Sequence, residues 1–304
     1  MNVRITHLDG KLPNLALMRL SAWHKKQGDV VVFSNQPQRN LFDLDYDVVY
    51  GSAIFTKTGE KVKTLRHWFP NSIVGGTGTN EDITVEDIAG DFDELDYSIY
   101  PDFTQSIGFT QRGCRMKCAF CVVPQKEGRV KPDSAISAIY RGYPAPKELI
   151  LLDNDFFGNR GWRDVVHEIV VNDFKVCLSQ GINVRLIGDE QAEAMAAMKV
   201  FDTKFKRRRI YTAWDNLGHE KVFFKGIDRL VNAGIKPNTV MAYMLIGYAP
   251  GETLDSILYR FDKMVERGIK PYPMVYNDCD KELKRFQRWA VRGLYNFVKF
   301  EDYR

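Results

Sequence analysis

The sequence predicts an α/β protein: a small Rossmann-like parallel α/β domain, then a partial (β/α)6 barrel, then a C-terminal helical tail. Three observations carry this expectation. Short apolar runs alternate with amphipathic stretches along most of the chain, the pattern of parallel sheets covered by helices. Six strand–helix units between residues 106 and 278 average about 29 residues each, close to the roughly 30 that one unit requires. Gly181, Gly234 and Gly268 each stand between a helical stretch and a strand, where a helix must stop.

The elements follow in order. In the first domain, residues 1–98, Val3–Leu8 reads as a strand. Leu15, Leu17, Met18, Leu20 and Trp23 make a helical stripe ending near Gly28. Val30-Val31-Val32-Phe33 is a continuous apolar run, expected to be a strand buried on both faces. Asp47–Phe55 has the same character, Gly59–Trp68 suits a helix, and Ser72-Ile73-Val74 runs into Gly75-Gly76-Thr77-Gly78. Glu81–Tyr100 is acidic and irregular, and Pro101-Asp102 marks the boundary region.

The barrel is expected over residues 99–278. Its six strands are Ser106–Thr110, Leu149–Leu152, Asn183–Ile187, Arg209–Ala213, Val240–Ile246 and Tyr272–Tyr276. Helices are expected at Trp162–Leu178, Gln191–Phe201, Lys221–Ala233 and Leu254–Arg267. A full eight-unit barrel needs about 250 residues, so six units fit the length better. The tail, residues 279–304, is basic and aromatic, with Phe286 and Trp289 on one helical face.

Composition narrows the functional classes. Lys and Arg exceed Asp and Glu by four, and 44% of the 304 residues are hydrophobic. Most of the chain is therefore expected to fold, and a charge of +4 does not by itself imply a nucleic-acid partner. No apolar run approaches the ~18 residues of a membrane span. Asp9, Lys11 and Pro13 interrupt any signal-peptide layout. The expectation is a cytoplasmic protein with no membrane partner. An odd five cysteines argues against a disulfide framework.

Three of those cysteines, Cys114, Cys118 and Cys121, fall within eight residues. Thiolates are soft ligands suited to iron–sulfur clusters or zinc. A four-iron cluster usually takes four cysteines, and this loop offers three, leaving one iron open. An open position is what distinguishes a catalytic metal centre from a structural one. The loop follows the first barrel strand, at the edge where barrel active sites form. Arg112, Arg115 and Lys117 would offset the negative charge of the cluster and its thiolates. Zinc is the alternative, but its fourth ligand would have to come from a distant segment, such as His167 or His219.

The Cys-x3-Cys-x2-Cys loop, with Phe120 directly before the third cysteine, resembles the radical S-adenosylmethionine superfamily. The resemblance implies that Cys114, Cys118 and Cys121 hold a [4Fe-4S] cluster whose open iron binds S-adenosylmethionine. One-electron reduction would then release a 5′-deoxyadenosyl radical that abstracts a hydrogen from an unidentified small molecule, peptide or nucleotide. The electron would come from a reductant such as flavodoxin or ferredoxin. Phe120 maps to the aromatic position beside the adenine. The family's Gly-Gly-Glu stretch after the second strand is replaced by Asp153-Asn154-Asp155, which would accept from the cofactor's ammonium or, alternatively, cap the next helix. Arg185 is assigned to the cofactor carboxylate or to an internal salt bridge with Asp153 or Asp215. Asp215 faces ribose or substrate, and Ile246-Gly247 matches the fifth-strand signature near adenine.

The first domain resembles the cobalamin-binding domains that precede some of these enzymes. Their Asp-x-His-x-x-Gly motif is missing, and His24-x-x-x-Gly28 has the wrong spacing. A domain of that fold without cobalamin is expected. Methylthio transfer is not expected, because no cysteine precedes Cys114.

Lys204–Arg209 places five cations in six residues, at the expected barrel rim opposite the chemistry, and reads as a solvated run. Arginines among aromatics in the tail can hold nucleic acid, but a docking helix that closes the barrel is the favoured reading. A base-modifying radical enzyme and a non-catalytic iron–sulfur or zinc module are the competing functions. No His–Cys or His–Ser pairing supports hydrolysis.

Overall fold

The computed structural model describes residues 1–79, 81–277 and 279–304, and the chain divides after Thr104 into two units. In the first, β1 (Asn2–His7) alternates Val3 and Ile5 into the core. It is followed by α1 (Leu15–Lys26), β2 (Val30–Ser34), β3 (Val48–Ser52), α2 (Gly59–Trp68), β4 (Ile73–Gly75) and the short α3 (Glu86–Ala89). The strands form one parallel sheet in the order β2-β1-β3-β4. The Asn14 side chain accepts from the Leu17 N–H and so starts α1, a cap that contributes about 1 kcal/mol. Leu17 and Met18 of α1 pack with Val3, Ile5 and Tyr50. Val62 and Leu65 of α2 pack with Val49 and Val74 in a second cluster, so helices cover both faces.

Two expectations about this unit are corrected. The valine run of β2 is not buried on both faces: Val30 is exposed and its neighbours are half-buried. β2 is the outermost strand of its sheet, with only β1 beside it. The unit also extends past residue 98, because Ile99 joins its core.

The second unit begins with β5 (Ser106–Gly108) and a two-rung hairpin of β6 (Gln111–Arg112) and β7 (Lys131–Pro132), with the single-turn α4 (Val123–Lys126) between them. Next come α5 (Ile136–Ile139), β8 (Glu148–Leu151), α6 (Trp162–Val171), β9 (Lys175–Leu178), α7 (Asp189–Ala197) and β10 (Lys199–Val200). The chain continues through β11 (Ile210–Ala213), α8 (Glu220–Asn232), β12 (Val240–Ile246), α9 (Leu254–Glu266), β13 (Lys270–Val275) and α10 (Lys281–Val291). A four-stranded parallel sheet, β10-β9-β8-β5, and a three-stranded one, β11-β12-β13, result. The Ile182 N–H donates to the Tyr211 carbonyl at 2.8 Å across the gap between them. This architecture is α/β with parallel sheets. The expected end of the barrel, residue 278, lies outside the described residues.

Each sheet buries one face under helices. Leu149, Leu151, Val176 and Leu178 meet Val166 and Ile169 of α6. Phe223, Ile227 and Leu230 of α8 and Ile257, Phe261 and Met264 of α9 supply the same core at helical spacing. Each such side chain contributes roughly 1.5–3 kcal/mol by leaving water. The tail is part of this unit, with Phe286, Trp289 and Phe300 buried in its core. No helix among the described residues is long and apolar enough to cross a membrane.

The third strand is displaced from its expected position. Helix α6 stops at Val171, Asp173 takes a left-handed φ of 58°, and Lys175–Leu178 forms the strand beside β8. Gly181 therefore ends a strand rather than a helix. Asn183–Ile187 contains a 3-10 turn, Val184–Leu186, instead of a strand. Its backbone lies against α8 where Gly226 has no side chain, since a Cβ there would sit 1.9 Å from the Val184 carbonyl oxygen. With β9 already paired to β8, this segment has no strand slot to fill. The expected helix Gln191–Phe201 is likewise shorter, ending at Ala197 before β10.

Candidate metal centre

The cysteine loop leaves the carboxyl end of β5 and is closed at its neck by the pairing of Arg112 with Lys131. Gly113 sits inside that neck with φ +80°, and a Cβ on it would approach the Arg129 carbonyl oxygen to 2.4 Å. Only glycine lets the two limbs come this close. The Cys114 N–H donates to the Gly128 carbonyl at 3.4 Å, so the first cysteine leaves directly from the closed neck. Cys121 N–H donates to the Cys118 carbonyl at 3.0 Å, turning the second pair back on itself.

Cys114, Cys118 and Cys121 are all free thiols and half-buried. Burial pushes the Cys114 thiol up from its ordinary range, and the nearby Asp155, Cys118 and Cys121 add to the shift. Met116 N–H donates to Cys114 Sγ at 3.4 Å and opposes it. A bound metal cation reverses such a balance, because a coordinating thiol is deprotonated outright. Among the described residues, no three His, Cys, Asp or Glu side chains are drawn into a metal-binding arrangement. The donor set nevertheless fits an iron–sulfur cluster in chemistry: three soft sulfurs on one loop, one of them already accepting an amide N–H.

Carboxylates after β8 anchor this loop. Asp153 is 3% exposed and accepts from the Thr110 N–H at 2.7 Å, the Gln111 N–H at 3.3 Å and the Thr110 hydroxyl. Burial pushes its carboxyl up to about 6 against those bonds. Asp155 is 1% exposed and takes a bidentate grip from Arg115, with Nε to Oδ2 at 2.6 Å and Nη2 to Oδ1 at 2.8 Å. The Gln111 side chain donates to the Asp155 carbonyl. The two aspartates expected to accept from a ligand ammonium are thus engaged in holding the entry limb of the cysteine loop. Asn154 instead donates to Glu127 at 3.1 Å, and Glu127 also accepts from the Gly113 N–H at 2.8 Å.

The remaining expected residues divide. Phe120 is exposed, and its ring meets Tyr248 edge-on with centroids 5.3 Å apart; Tyr248 in turn meets Tyr276 at 4.9 Å. These contacts bring the loop to the carboxyl ends of β12 and β13. Asp215, after β11, accepts from the Leu245 N–H at 2.8 Å. Burial raises its carboxyl, while Leu245 N–H, Arg260, Arg185 and His219 pull it down. Gly247 N–H donates to Glu252 at 2.6 Å. The Ile246 side chain is fully buried with the helix-side core, so it does not stand at the open edge. Arg185 lies in the 3-10 turn and donates to Asn183 at 3.0 Å and to His219 Nδ1 at 2.9 Å. Neither Asp153 nor Asp215 forms an ion pair with it among the described residues.

Sequence reasoning missed Glu127, Tyr248 and Arg260. Arg260 occupies a position on the apolar stripe of α9 and is 1% exposed. It pairs with Glu252 and donates to the Trp214 carbonyl at 2.9 Å and the Leu245 carbonyl at 3.1 Å. A charge within an amphipathic helix's buried stripe is the signal that would have found it. Glu127 carried no such signal, because its partners are distant in sequence.

No family model matches the chain, and no curated protein is significantly similar to it.

Proposed function

We propose that the chain is a radical S-adenosylmethionine enzyme in which Cys114, Cys118 and Cys121 hold a [4Fe-4S] cluster. The observation that carries this reading is the placement of three half-buried sulfurs on one closed loop directly after a parallel strand. When bound, the cluster would pass one electron to the sulfonium of S-adenosylmethionine, giving methionine and a 5′-deoxyadenosyl radical that takes a hydrogen from the substrate.

The chain's own residues do the positioning. Asp153 and Asp155 fix both ends of the stretch from Thr110 to Arg115, which carries Cys114, to the segment after β8. Phe120 and Tyr248 offer an aromatic wall for the adenine. Asn154 and Glu127 are the polar pair offered to the ammonium, and Arg185 is the cation offered to the carboxylate. Asp215 is held by backbone at the mouth of the second sheet, available to ribose or substrate. The finer description of the second unit as a partial (β/α)6 barrel belongs to this reading, as does a cytoplasmic location, where thiols stay reduced.

The first unit is read as a cobalamin-binding-like fold without cobalamin. Its strand order β2-β1-β3-β4 follows the flavodoxin-like winding, whose ligands bind at the switch point. At that point His7, Asn14, Ser52 and Tyr100 bond to one another.

The test is anaerobic reconstitution with iron and sulfide, followed by reduction in the presence of S-adenosylmethionine. Brown protein that releases 5′-deoxyadenosine, and a Cys114→Ser variant that does not, are expected. Colourless, iron-free protein would sink the reading. An iron-bearing protein that never makes 5′-deoxyadenosine would favour a non-catalytic module.

A further inference from the structure

The segment from Lys199 to Arg209 holds six cations and a single carboxylate, Asp202. Its net positive charge exceeds that of the whole chain, +4. As a sequence it reads as a solvated run, but the fold makes it a shaped turn. Phe201 pairs antiparallel with Arg208. The Asp202 N–H donates to the Arg207 carbonyl at 2.9 Å, and the Phe205 N–H donates to the Asp202 carbonyl at 2.9 Å. Asp202 Oδ1 accepts from the Lys204 and Lys206 amides at 3.2 and 3.0 Å. Phe205 takes a left-handed φ of 54° and is 7% exposed. A bulky residue holds that conformation only where its surroundings impose it. The one carboxylate is thus turned to backbone amides, while Lys204, Lys206, Arg207 and Arg208 are exposed around it.

Neighbouring elements add charge of the same sign. Arg209 directly precedes β11, and its Nη1 donates to the Asn238 carbonyl at 3.3 Å, just before β12. Lys270 opens β13. Burial lowers the pKa of the Lys270 ammonium, and Arg209 and Arg207 lower it further, so these cations crowd the amino edge of one sheet. The ion pair of Lys199 with Asp173, at 2.5 Å, is the only one made by the segment among the described residues. A helix end accounts for one cation more, since Arg208 donates to the Met198 carbonyl at 3.0 Å just after α7. The side chains of Lys204, Lys206 and Arg207 have neither kind of partner among the described residues. No large apolar side chain between Lys199 and Ala213 is exposed.

We infer that this edge binds the phosphate backbone of a nucleic acid without reading its sequence. Crowded like charges repel one another, and a polyanion relieves that repulsion while releasing its own counterions. Guanidinium groups add bidentate hydrogen bonds to phosphate oxygens. A protein docking patch would have an apolar centre, and a membrane-surface site would set apolar side chains beside its cations; this edge exposes neither. The cysteine loop reaches the opposite, carboxyl ends of β12 and β13 through Phe120, Tyr248 and Tyr276. Nucleic acid held here is therefore an anchor rather than a molecule presented to the sulfurs, and the inference stands independently of the proposed cluster.

The experiment titrates the full chain, with and without reconstituted iron, into short labelled duplex DNA, single-stranded DNA and RNA, and reads anisotropy. Duplex affinity is expected to fall about 100-fold between roughly 50 and 200 mM salt, the response of about four phosphate contacts. Single strands should show a shallower slope. Lys206→Glu/Arg207→Glu should weaken duplex binding at least about 10-fold at low salt and cut the salt slope by about half. Lys11 and Lys57 are exposed in the first unit; Lys11→Glu/Lys57→Glu changes net charge equally and should stay within about 2-fold, because distant charges are screened. If circular dichroism shows that the reversal does not fold, Lys206→Gln/Arg207→Gln is expected to lose about the same slope. Absence of binding at low salt, a flat salt response, or equal weakening by the two double variants overturns the inference. So does binding that requires iron. Polyglutamate or phosphatidylserine vesicles that compete as well as unlabelled DNA also overturn it, in favour of an acidic protein or a membrane surface.

Discussion

The carboxyl edges of the two units use polar residues in opposite ways. In the first, Tyr100 hydroxyl meets His7 Nδ1 at 3.1 Å, Asn14 N–H donates to the same hydroxyl, and the Asn14 side chain donates to Ser52 at 2.8 Å. Asp9 accepts from the Ile54 and Phe55 amides at 2.8 and 2.9 Å and from the Thr58 hydroxyl. At the opposite edge His24, the histidine nearest to a cobalamin-like spacing, is likewise held by Asp29 at 2.8 Å and Tyr50 at 3.1 Å. In the second unit the carboxylates also bond inward, but they do so to hold up a loop whose sulfurs and aromatic ring stay accessible. One edge closes on itself and the other presents chemistry, although both sit on parallel sheets.

Replacing a buried arginine in each unit tests that separation most strongly. Arg4 in the first unit pairs with Asp43, and Arg260 in the second with Glu252; both arginines are 1% exposed. Removing one member of a buried pair strands the other, at about 3–5 kcal/mol. Arg4→Met should lower the first unit's stability by that amount and leave iron uptake per folded chain unchanged. Arg260→Met should lower the second unit's stability and iron uptake together. Chemical denaturation with iron analysis checks both, and a loss of iron in Arg4→Met would break the comparison.

Acid sharpens the contrast at a smaller scale. In the first unit burial raises Asp96, but hydrogen bonds from Lys25, Ser21 and Ser98 outweigh it and hold the carboxyl at about 2. Its contribution is present above the unfolded value near 3.8 and is lost as pH falls toward about 2. Asp153 in the second unit has the opposite sign. Its carboxyl lies at about 6 in the fold against 3.8 unfolded, so the native state binds the extra proton between those values. Stability from this group therefore falls as pH rises from about 4 to 6, by up to roughly 3 kcal/mol. Asp153→Asn should remove that slope from the second unit's pH–stability curve. An unchanged slope would show that Asp153 is already ionised across the window.

The smallest effect concerns the exposed ring. Phe120→Ala gives up an edge-to-face contact with Tyr248, which is about 0.5–1.5 kcal/mol. Thermal unfolding should shift by only a few degrees, while affinity for S-adenosylmethionine falls measurably. A large stability loss with unchanged affinity would make Phe120 a packing residue instead.

Most elements were legible because burial repeats along the chain: α2 runs over Gly59–Trp68 as expected, and β12 over Val240–Ile246. The third strand was not. Val176 and Leu178 follow Ile169 with enough apolar character to extend a helical stripe, and the break is made by Asp173 in a conformation usually taken by glycine. The cysteines stand out in the sequence because their spacing puts three thiols on one loop, where the structure leaves them free and half-buried. The duties of Asp153, Asp155 and Glu127 were not, because each is defined by partners 14 to 44 residues away.

The rungs that join Arg112 to Lys131 turn the intervening segment into a closed ring. Binding of the proposed cluster would then have to organise only the short arcs between consecutive sulfurs. Extra length on the far side, near Gln125, would enlarge the ring at little entropic cost, because that cost grows only with the logarithm of length. The same insertion between Cys114 and Cys118 would alter the chelate itself, so tolerance to lengthening should be sharply lopsided around the ring.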